Sequence, residues 1–414
     1  MPASNSLGEL LSTIFERRPF SRVEQDNRSA ADLCRALLSQ KTELTGVQIA
    51  ALLLDRYKGF DAEQKLEFFR LLNDEFDIDR AAIAGLAKAY ADDPSSENYA
   101  RFSAGAEPRR QELFRRLNEV PGATAELVGM RADLLGFLKS EPLLARVDQD
   151  FLHLLRSWFN RGFLVLRQIT WGSPASILEK VIAYEAVHEI RTWDDLRQRL
   201  QPVDRRCFAF FHPAMPDDPL IFVEIALVSG VPASIQELLS GDRKVLRDDE
   251  ADTAVFYSIS NCQKGLAGVS FGNSLIKQVA RDLARDLPNV KSFVTLSPIP
   301  GLVRWLTRED RLAQADDPTM LRRLAAQYLV QEKTGDGRPL DPVARFHLAN
   351  GAQIHAIHAD ADISENGLAQ SRGVMVNYLY DLGRISRNLQ QFAESGAVAA
   401  SSAVRTLARQ ASKG

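Results

Sequence analysis

The stretch Phe293-Val294-Thr295-Leu296-Ser297-Pro298-Ile299-Pro300-Gly301 joins an apolar run to a tight turn. Residues 293–296 have the composition of a short buried β-strand. Pro298 holds Ser297 in an extended conformation, and Pro300-Gly301 then turns the chain toward a helix that begins near Leu302. We therefore expect the Ser297 hydroxyl at the carboxyl edge of a sheet, where α/β proteins commonly bind ligands.

The segment alone leaves a simpler interpretation of Ser297 open. A serine at this position can cap a helix by accepting a bond from its first N–H groups. The segment is not a hydrolase nucleophile elbow, because the Gly-x-Ser-x-Gly pattern is absent.

The pattern of apolar and polar residues changes near residue 160. Residues 1–160 have helical periodicity, with Leu66, Phe69, Leu72 and Phe76 at three- and four-residue steps, and predict an all-α bundle. Expected helix N-caps are Thr45 and Asp79. Residues 165–395 mix predicted strands (207–211, 220–227, 254–259, 293–296, 352–357 and 374–380) with predicted helices (272–286 and from 302). The fold class is thus α+β, with residues 396–414 expected to be a C-terminal tail.

Composition limits the possible functions. The 414 residues carry a net charge of −3, so strong nucleic-acid binding is disfavoured. Cys34, Cys207 and Cys262 lack metal-type spacing and predict a reducing compartment. No apolar run reaches the roughly 18 residues of a membrane span, and residues 1–18 read as a surface helix and not as a secretory signal. These features favour a cytoplasmic protein.

A glycine-containing loop, residues 260–268, lies between a predicted strand and a predicted helix. Glycines there allow close backbone approach to a ligand, and the free N–H groups of a first helical turn attract anions. The motif predicts a pyrophosphate site, although a plain turn is the more frequent explanation of such a pattern. It is not a Walker loop, since no Gly-Lys-Ser/Thr follows.

Histidines offer further candidates. His347 lies on a probable helix starting near Pro342, where a packed, semi-buried histidine is the simpler interpretation. His355 and His358 precede two aspartates, but strand alternation would place these histidines on opposite faces. We therefore predict no metal site.

Several segments together resemble the malonyl-CoA decarboxylase family over roughly residues 165–395. They are the stretch quoted above, HPAMP at 212–216, PLIFVE at 219–224, FYSIS at 256–260, QKGLAG at 263–268, PVARFHLANG at 342–351 and MVNYLY at 375–380. The resemblance implies a domain similar to GNAT acetyltransferases. It also implies that Gln263, Lys264, Gly265, Leu266, Ala267 and Gly268 hold the CoA pyrophosphate.

The same resemblance assigns a catalytic serine and histidine to Ser297 and His347. An assisting tyrosine falls on Tyr380, and a second site serine falls on Ser258. One departure is Ser270, where the animal members have a glutamate. The implied reaction releases carbon dioxide from malonyl-CoA and protonates the resulting enolate, with no metal or prosthetic group. The division of roles among Ser297, His347 and Tyr380 stays open.

Two other functions fit parts of the pattern. An acyl-CoA N-acyltransferase would use the same loop and fold, but would need an amine site and would not need Ser297. A non-catalytic malonyl-CoA-binding scaffold would bind the thioester without releasing carbon dioxide. The helical half, residues 1–160, is expected to form a homo-oligomer, because helical bundles with uncovered apolar stripes commonly pair.

Overall fold

The computed structural model describes residues 26–40, 42–269 and 272–411. The predicted surface helix at residues 1–18 and the departure at Ser270 lie outside these residues. The described chain divides into two compact units. A helical unit runs to Phe163 and also includes His212–Pro216 and residues 263–269, and a mixed unit contains Leu164–Phe211, Asp217–Cys262 and residues 272–411.

Eight helices of the described residues build the helical unit. They are α1 (Ala30–Ser39), α2 (Glu43–Lys58), α3 (Ala62–Glu75), α4 (Arg80–Asp92), α5 (Ser96–Gly105), α6 (Arg109–Asn118), α7 (Ala123–Phe137) and α8 (Ala145–Trp158). Phe69, Leu72 and Phe76 are buried, which confirms the apolar stripe read from the sequence. Asp79 caps α4 as predicted, accepting from the N–H groups of Ala81 and Ala82. The prediction for Thr45 was wrong, because it lies inside α2 and Thr42 holds the N-cap position.

The mixed unit is built on an eight-stranded sheet. Its strands are β1 (Val165–Ile169), β2 (Arg205–Phe211), β3 (Ile221–Val228), β4 (Thr253–Asn261), β5 (Ser292–Thr295), β6 (Ser297–Pro298), β7 (Gln353–His358) and β8 (Met375–Leu379). Its helices are α9 (Ala175–Tyr184), α10 (Trp193–Leu200), α11 (Ile235–Leu239), α12 (Gly272–Asp286), α13 (Leu302–Arg308), α14 (Pro318–Val330), α15 (Pro342–Leu348), α16 (Glu365–Ser371), α17 (Ile385–Ser395) and α18 (Ser402–Ala411). This architecture confirms the predicted α+β class.

The sheet has one parallel pair, and this pair creates a gap. Strand order is β1-β2-β3-β4-β5-β8-β6, with β7 also on β8. Every pair is antiparallel except β4 with β5, whose register ends at Phe256↔Thr295. Strand β4 continues to Asn261, whereas the segment that follows β5 turns away through Ser297. The two strands therefore diverge after Phe256.

A β-bulge in the pairing of β4 with β3 lies next to the point where the pairing of β4 with β5 ends. The register of β3 with β4 shifts between Glu224 and Ile225, so that Ser258 opposes Glu224 and Phe256 opposes Ile225. Tyr257 is the additional residue. Bulges of this kind redirect side chains and are frequent beside active sites.

Two parts of the predicted domain division differ from the structure. Within the range 165–395, the segment His212–Pro216 and the loop at 263–268 group with the helical unit. The expected tail at 396–414 contains α18, which buries Val404, Ala408 and Ala411 within the mixed unit. Those three positions follow helical spacing, so a stripe of small apolar residues was enough to dock the segment. No helix in the described ranges is both long and apolar enough to cross a membrane.

Candidate active site

Ser297 and His347 meet at the gap in the sheet. Ser297 begins β6 just after the divergence, and His347 lies in the last turn of α15. His347 Nε2 is 3.3 Å from Ser297 Oγ, although the residues are 50 positions apart. Both are buried. Ser297 therefore does not act as a helix cap, and the structure brings together the two residues that the motifs singled out.

Two tyrosines, Tyr378 in β8 and Tyr380 just after it, hold the imidazole of His347. The hydroxyl of Tyr380 lies 2.8 Å from His347 Nδ1. The ring of Tyr378 stacks on the imidazole, with ring centroids 4.4 Å apart and planes at 22°. Since Tyr380 bonds one nitrogen and Tyr378 covers one face, the second nitrogen is aimed at Ser297.

The hydroxyl of Ser297 has a second partner in Thr295. Ser297 donates to Thr295 Oγ1 at 2.8 Å, and the same oxygen accepts from the backbone N–H of Tyr378 at 3.2 Å. With its proton directed to Thr295, Ser297 accepts from Nε2–H of His347. Tyr380 then donates to Nδ1. The hydrogen bonds thus favour the neutral Nε2–H tautomer.

Burial favours the uncharged form of both groups. Burial lowers the pKa of His347 to about 3, because a cation in this environment loses its hydration. For the same reason burial raises the pKa of Tyr380 well above its usual value. At neutral pH the imidazole of His347 and the phenol of Tyr380 are therefore both uncharged.

A cleft of about 270 Å³ opens onto Ser297 and His347. The diverging strands and α15 form its walls: Phe256, Tyr257, Ile259, Asn261, Pro298, Pro342, Val343, Phe346 and, from the loop after α9, Val187. Most of these side chains are apolar. Such a lining removes water from a charged substrate group while leaving a few polar groups to orient it.

A larger cavity of about 1100 Å³ lies elsewhere in the mixed unit. It is lined by charged side chains of both signs, among them Glu185, Arg199 and Asp362. It contains none of the residues predicted for catalysis. We place the candidate site in the smaller cleft, because that cleft contains the paired serine and histidine.

Ser258 is not brought to this pair. Its hydroxyl lies 2.8 Å and 2.7 Å from the two carboxylate oxygens of Glu185. Glu185 also accepts from the backbone N–H groups of Val187 and His188, both at 2.8 Å. Ser258 therefore anchors the loop that carries Val187 into the cleft, and its neighbour Tyr257 lines the cleft directly.

Helix α7 fixes the backbone of the glycine-containing loop at residues 263–268. Arg131 of α7 donates to the backbone oxygens of Gly265 and Ala267 at 2.7 Å and 2.8 Å. A Cβ at Gly265 would overlap the backbone oxygen of Val128, so this glycine serves close packing against α7. Gly265 and Leu266 are buried, whereas Lys264, Ala267 and Gly268 are exposed.

Of the pair His355 and His358, only His358 has a side-chain hydrogen bond among the described residues, and the buried Nδ1 of His355 has no partner there. His358 Nε2 lies 2.5 Å from Asn377 Oδ1. Within the described ranges, no group of three or more His, Cys, Asp or Glu side chains has an arrangement suited to a metal ion.

Sequence comparison matches both halves of the chain to one family. The profile of the malonyl-CoA decarboxylase C-terminal domain matches residues 162–323 and 309–414, and that of the N-terminal domain matches 76–159. The protein "Malonyl-CoA decarboxylase, mitochondrial" of Anser anser anser is 32% identical, covering 96% of this chain and 90% of the relative. This chain belongs to the malonyl-CoA decarboxylase family.

Solved members of the malonyl-CoA decarboxylase family have the same fold. The crystal structure from Rhodopseudomonas palustris is 49% identical, with a TM-score of 0.87 over 91% of this chain and 98% of that one. The structure from Cupriavidus metallidurans is 36% identical, with a TM-score of 0.73 over 91% of this chain and 98% of that one.

The sequence did not predict several residues that shape this site. Thr295 stands two positions before Ser297 on an extended segment, so the period of two could have indicated a shared face. Tyr378 was quoted within a motif, but its stacking on His347 depends on the packing of β8 against α15. Glu185, the residue that follows α9, carried no recognisable signal.

Proposed function

We propose that this protein converts malonyl-CoA to acetyl-CoA and carbon dioxide. The observation that carries the proposal is the Ser297–His347 hydrogen bond at the mouth of the gap between β4 and β5. A β-keto-type acid loses carbon dioxide when the developing enolate oxygen is stabilised and the carboxylate is held out of the enolate plane in a water-poor site. The apolar cleft and the hydroxyl of Ser297 provide these conditions.

The roles follow from the protonation states. When substrate binds, the O–H of Ser297 turns from Thr295 and donates to the malonyl carboxylate or the thioester oxygen, while Ser297 continues to accept from His347. His347 is neutral and orients that hydroxyl through Nε2–H, while Tyr380 fixes the tautomer through Nδ1. Because burial keeps the pKa of His347 low, the proton for the α-carbon is not stored as imidazolium before the reaction. Once carbon dioxide has left, the enolate carbon takes a proton from the Ser297 hydroxyl, Ser297 recovers one from Nε2–H of His347, and His347 recovers one at Nδ1 from Tyr380, which solvent reprotonates when the product leaves.

The edge of β4 is suited to the arm of the thioester. Strand β4 extends to Asn261 beyond the end of its pairing with β5. A pantetheine amide can add to such an edge in the way that an extended peptide adds to a sheet. We propose that the arm lies along residues 257–261, with the acyl end at Ser297.

Incubation of the purified full chain with malonyl-CoA tests the function directly. The products should be acetyl-CoA and carbon dioxide in equal amounts, measured by chromatography and by trapped gas. Acyl transfer to an amine panel from acetyl-CoA would instead indicate an N-acyltransferase. Tight thioester binding without carbon dioxide release would indicate the scaffold function.

We further propose that the loop 263–268 binds the CoA pyrophosphate through its exposed residues. Support comes from the exposed Lys264 and from Gly268, whose φ is +81°. In Gly268→Val, a branched side chain is strained at positive φ and shifts the backbone. The KM for malonyl-CoA should rise about tenfold, as for the loss of one charge-assisted contact, with little change in kcat.

Gly337→Val provides the matched control for the loop variant. Gly337 also has positive φ, 78°, and a Cβ there would meet no atom within 4 Å. This variant should reproduce any general effect of backbone strain on the melting temperature and leave KM unchanged. An unchanged KM in Gly268→Val would place the phosphate site elsewhere.

We propose that the helical unit carries a homo-oligomer contact. Helices α4 and α5 bury no residue in the chain, yet Tyr90 stacks on Phe102 at 5.9 Å and Tyr99 is 57% exposed. An aromatic surface of this kind is typical of interface anchors. Tyr99→Lys should weaken self-association at least about tenfold in sedimentation velocity. Val245→Lys, on an exposed residue of the mixed unit, should not, and a monomeric wild type would contradict the proposal.

We also propose a reducing, cytoplasmic compartment. Cys34, Cys207 and Cys262 are all free and buried. Burial raises the pKa of Cys34 to about 12, so its reactive thiolate is scarce. The Anser anser anser and Rattus norvegicus relatives are named as mitochondrial, so microscopy of a tagged full chain is the appropriate test.

A further inference from the structure

Asp341 stands at the start of the helix that carries His347. It is the N-cap of α15, and its Oδ1 accepts from the N–H of Ala344 at 2.8 Å. The residue is fully buried, which is unusual for a capping aspartate. Its Oδ2 has no hydrogen-bond partner within the described part of the chain. A buried carboxylate oxygen without a partner is costly, so capping alone does not explain this residue.

The same carboxylate lies against the turn that follows Ser297. A Cβ at Gly301 would be 3.6 Å from Asp341 Oδ2, and it would overlap the hydroxyl of Tyr328. The backbone N–H of Gly301, with those of Ala344 and Val343, lowers the pKa of Asp341 against the effect of burial. Asp341 therefore interacts with the ends of both segments that bring Ser297 and His347 together.

A third interaction reaches the ring stacked on His347. Burial is the main cause of the raised pKa of Tyr378, and the negative charge of Asp341 is the next largest. The hydroxyl of Tyr378 is buried and has no hydrogen-bond partner among the described residues. The charged or titratable groups that face Asp341 are Arg345 on its own helix, Tyr328 on α14 and Tyr378 on β8.

We propose that Asp341 is a positioning residue, whose ionised carboxylate fixes the turn after Ser297 and the helix of His347 at catalytic distance. This inference rests on the proposed function and names a further residue for the same site. The ionised form accepts a charge-assisted bond from Ala344 and attracts the backbone N–H of Gly301, whereas a protonated oxygen becomes a donor and loses its attraction for Gly301. Protonation therefore uncouples the two cleft walls without touching the substrate.

This mechanism gives an acid limb to the rate that His347 cannot produce. Burial, opposed by the backbone N–H groups, raises the pKa of Asp341 from 3.8 to about 6. The pKa of His347, lowered to about 3, lies far below that range. Turnover should fall as the pH drops through about 6, and the group responsible should be Asp341.

Ionisation of Asp341 lowers the stability of the fold, whereas ionisation of an ordinary capping aspartate raises it. The pKa of Asp341 is raised in the folded protein, so its contribution to stability is greatest below the unfolded value and is lost as the pH rises through about 6. At pH 8 the ionised carboxylate destabilises the fold. Asp341→Asn should therefore melt at the wild-type temperature or higher at pH 8, because asparagine also caps helices.

The test is the pH–rate profile of Asp341→Asn in the full chain. At pH 8, kcat should fall about tenfold, as for a small displacement of catalytic groups, with KM within about twofold. The acid limb near pH 6 should disappear. Asp317→Asn is the matched control: Asp317 also caps a helix before a proline, accepting from Thr319 and Met320, but it is exposed. It should leave kcat and the pH profile unchanged.

A second readout does not depend on activity. In ¹⁵N-histidine NMR spectra, the His347 ring signals should show a step near pH 6 in the wild type and none in Asp341→Asn. A wild type inactive on malonyl-CoA would refute the proposed function, and the NMR comparison would still decide the role of Asp341. If Asp341→Asn does not fold, Asp341→Ser, which keeps a capping oxygen, replaces it. Wild-type kcat together with a retained step near pH 6 would overturn the inference.

Discussion

His347→Ala is expected to reduce the turnover of malonyl-CoA about 10²–10⁴-fold, the usual scale for removing a proton-transferring or orienting group. In free-energy terms this is roughly 3–5 kcal/mol of transition-state stabilisation. The substitution removes the partner of Ser297 at 3.3 Å and that of Tyr380 at 2.8 Å. It leaves both hydroxyls without the group that aligned them. Steady-state kinetics on the purified full chain would measure the loss.

His358→Ala is the appropriate control for the histidine variant. His358 lies on β7 and is hydrogen-bonded to Asn377, outside the cleft. It should retain turnover within a fewfold of wild type, even if its stability falls. Wild-type turnover in His347→Ala would remove the imidazole from the mechanism and make it a packed histidine.

The isotope content of the product separates two roles of His347. In deuterated water, a variant impaired only in protonation would still release carbon dioxide and would incorporate solvent deuterium abnormally at the α-carbon. A variant impaired in carbon–carbon cleavage would lose carbon dioxide and acetyl-CoA in parallel. Mass spectrometry of the acetyl group gives the answer.

The acid sensitivity of the fold offers an independent check. The pKa of His347 is depressed in the folded protein, so its neutral form contributes stability above the unfolded value that is lost as the pH falls toward about 3. His347→Ala lacks this acid-labile group. Its melting temperature should fall less than that of the wild type between pH 7 and pH 4.

Much of the framework was predictable from local pattern. Strand β5 followed from the apolar run before Ser297, and α4 from the capping Asp79. Ser297, His347 and Tyr380 were found through motifs, and the structure brings all three together. The strand and the helix cap were predictable because the backbone chemistry of proline, glycine and capping side chains acts over a few residues, whereas the catalytic roles of the three residues stay a prediction.

The remainder depended on packing between distant segments. Tyr378 stacks on His347 only because β8 lies over α15, and Asp341 meets Gly301 across 40 positions of sequence. Gly265 was interpreted as a ligand-facing glycine, but it packs against Val128. A glycine allows close approach without specifying what approaches.

Ser258 shows the same limit for a residue assigned by resemblance. Its sequence context matched a family motif, but its hydroxyl is bonded to Glu185 and not to the Ser297–His347 pair. The bulge in β4 decides which side chains enter the cleft, and it admits Tyr257. Register shifts of one residue are not visible in a strand pattern.

Ser297→Ala is expected to lower kcat about 10²–10⁴-fold, as for removal of one oxyanion-type donor. The variant removes a hydroxyl that joins His347 Nε2 to Thr295 Oγ1 and faces the cleft. Thioester affinity should change little, because the hydroxyl acts on the reacting end of the substrate. Ser292→Ala, on the preceding strand β5, is the control and should behave as wild type.

The double variant Ser297→Ala/His347→Ala decides whether the two residues act as one unit. If His347 works through the Ser297 hydroxyl, as the hydrogen bonds to Tyr380 and Thr295 indicate, the second substitution has little left to remove. The combined loss should then be close to that of the worse single variant and far below the product of the two. The measurement is a double-mutant cycle on kcat at saturating malonyl-CoA. Losses that multiply would show that serine and histidine contribute independently, with His347 reaching the substrate directly.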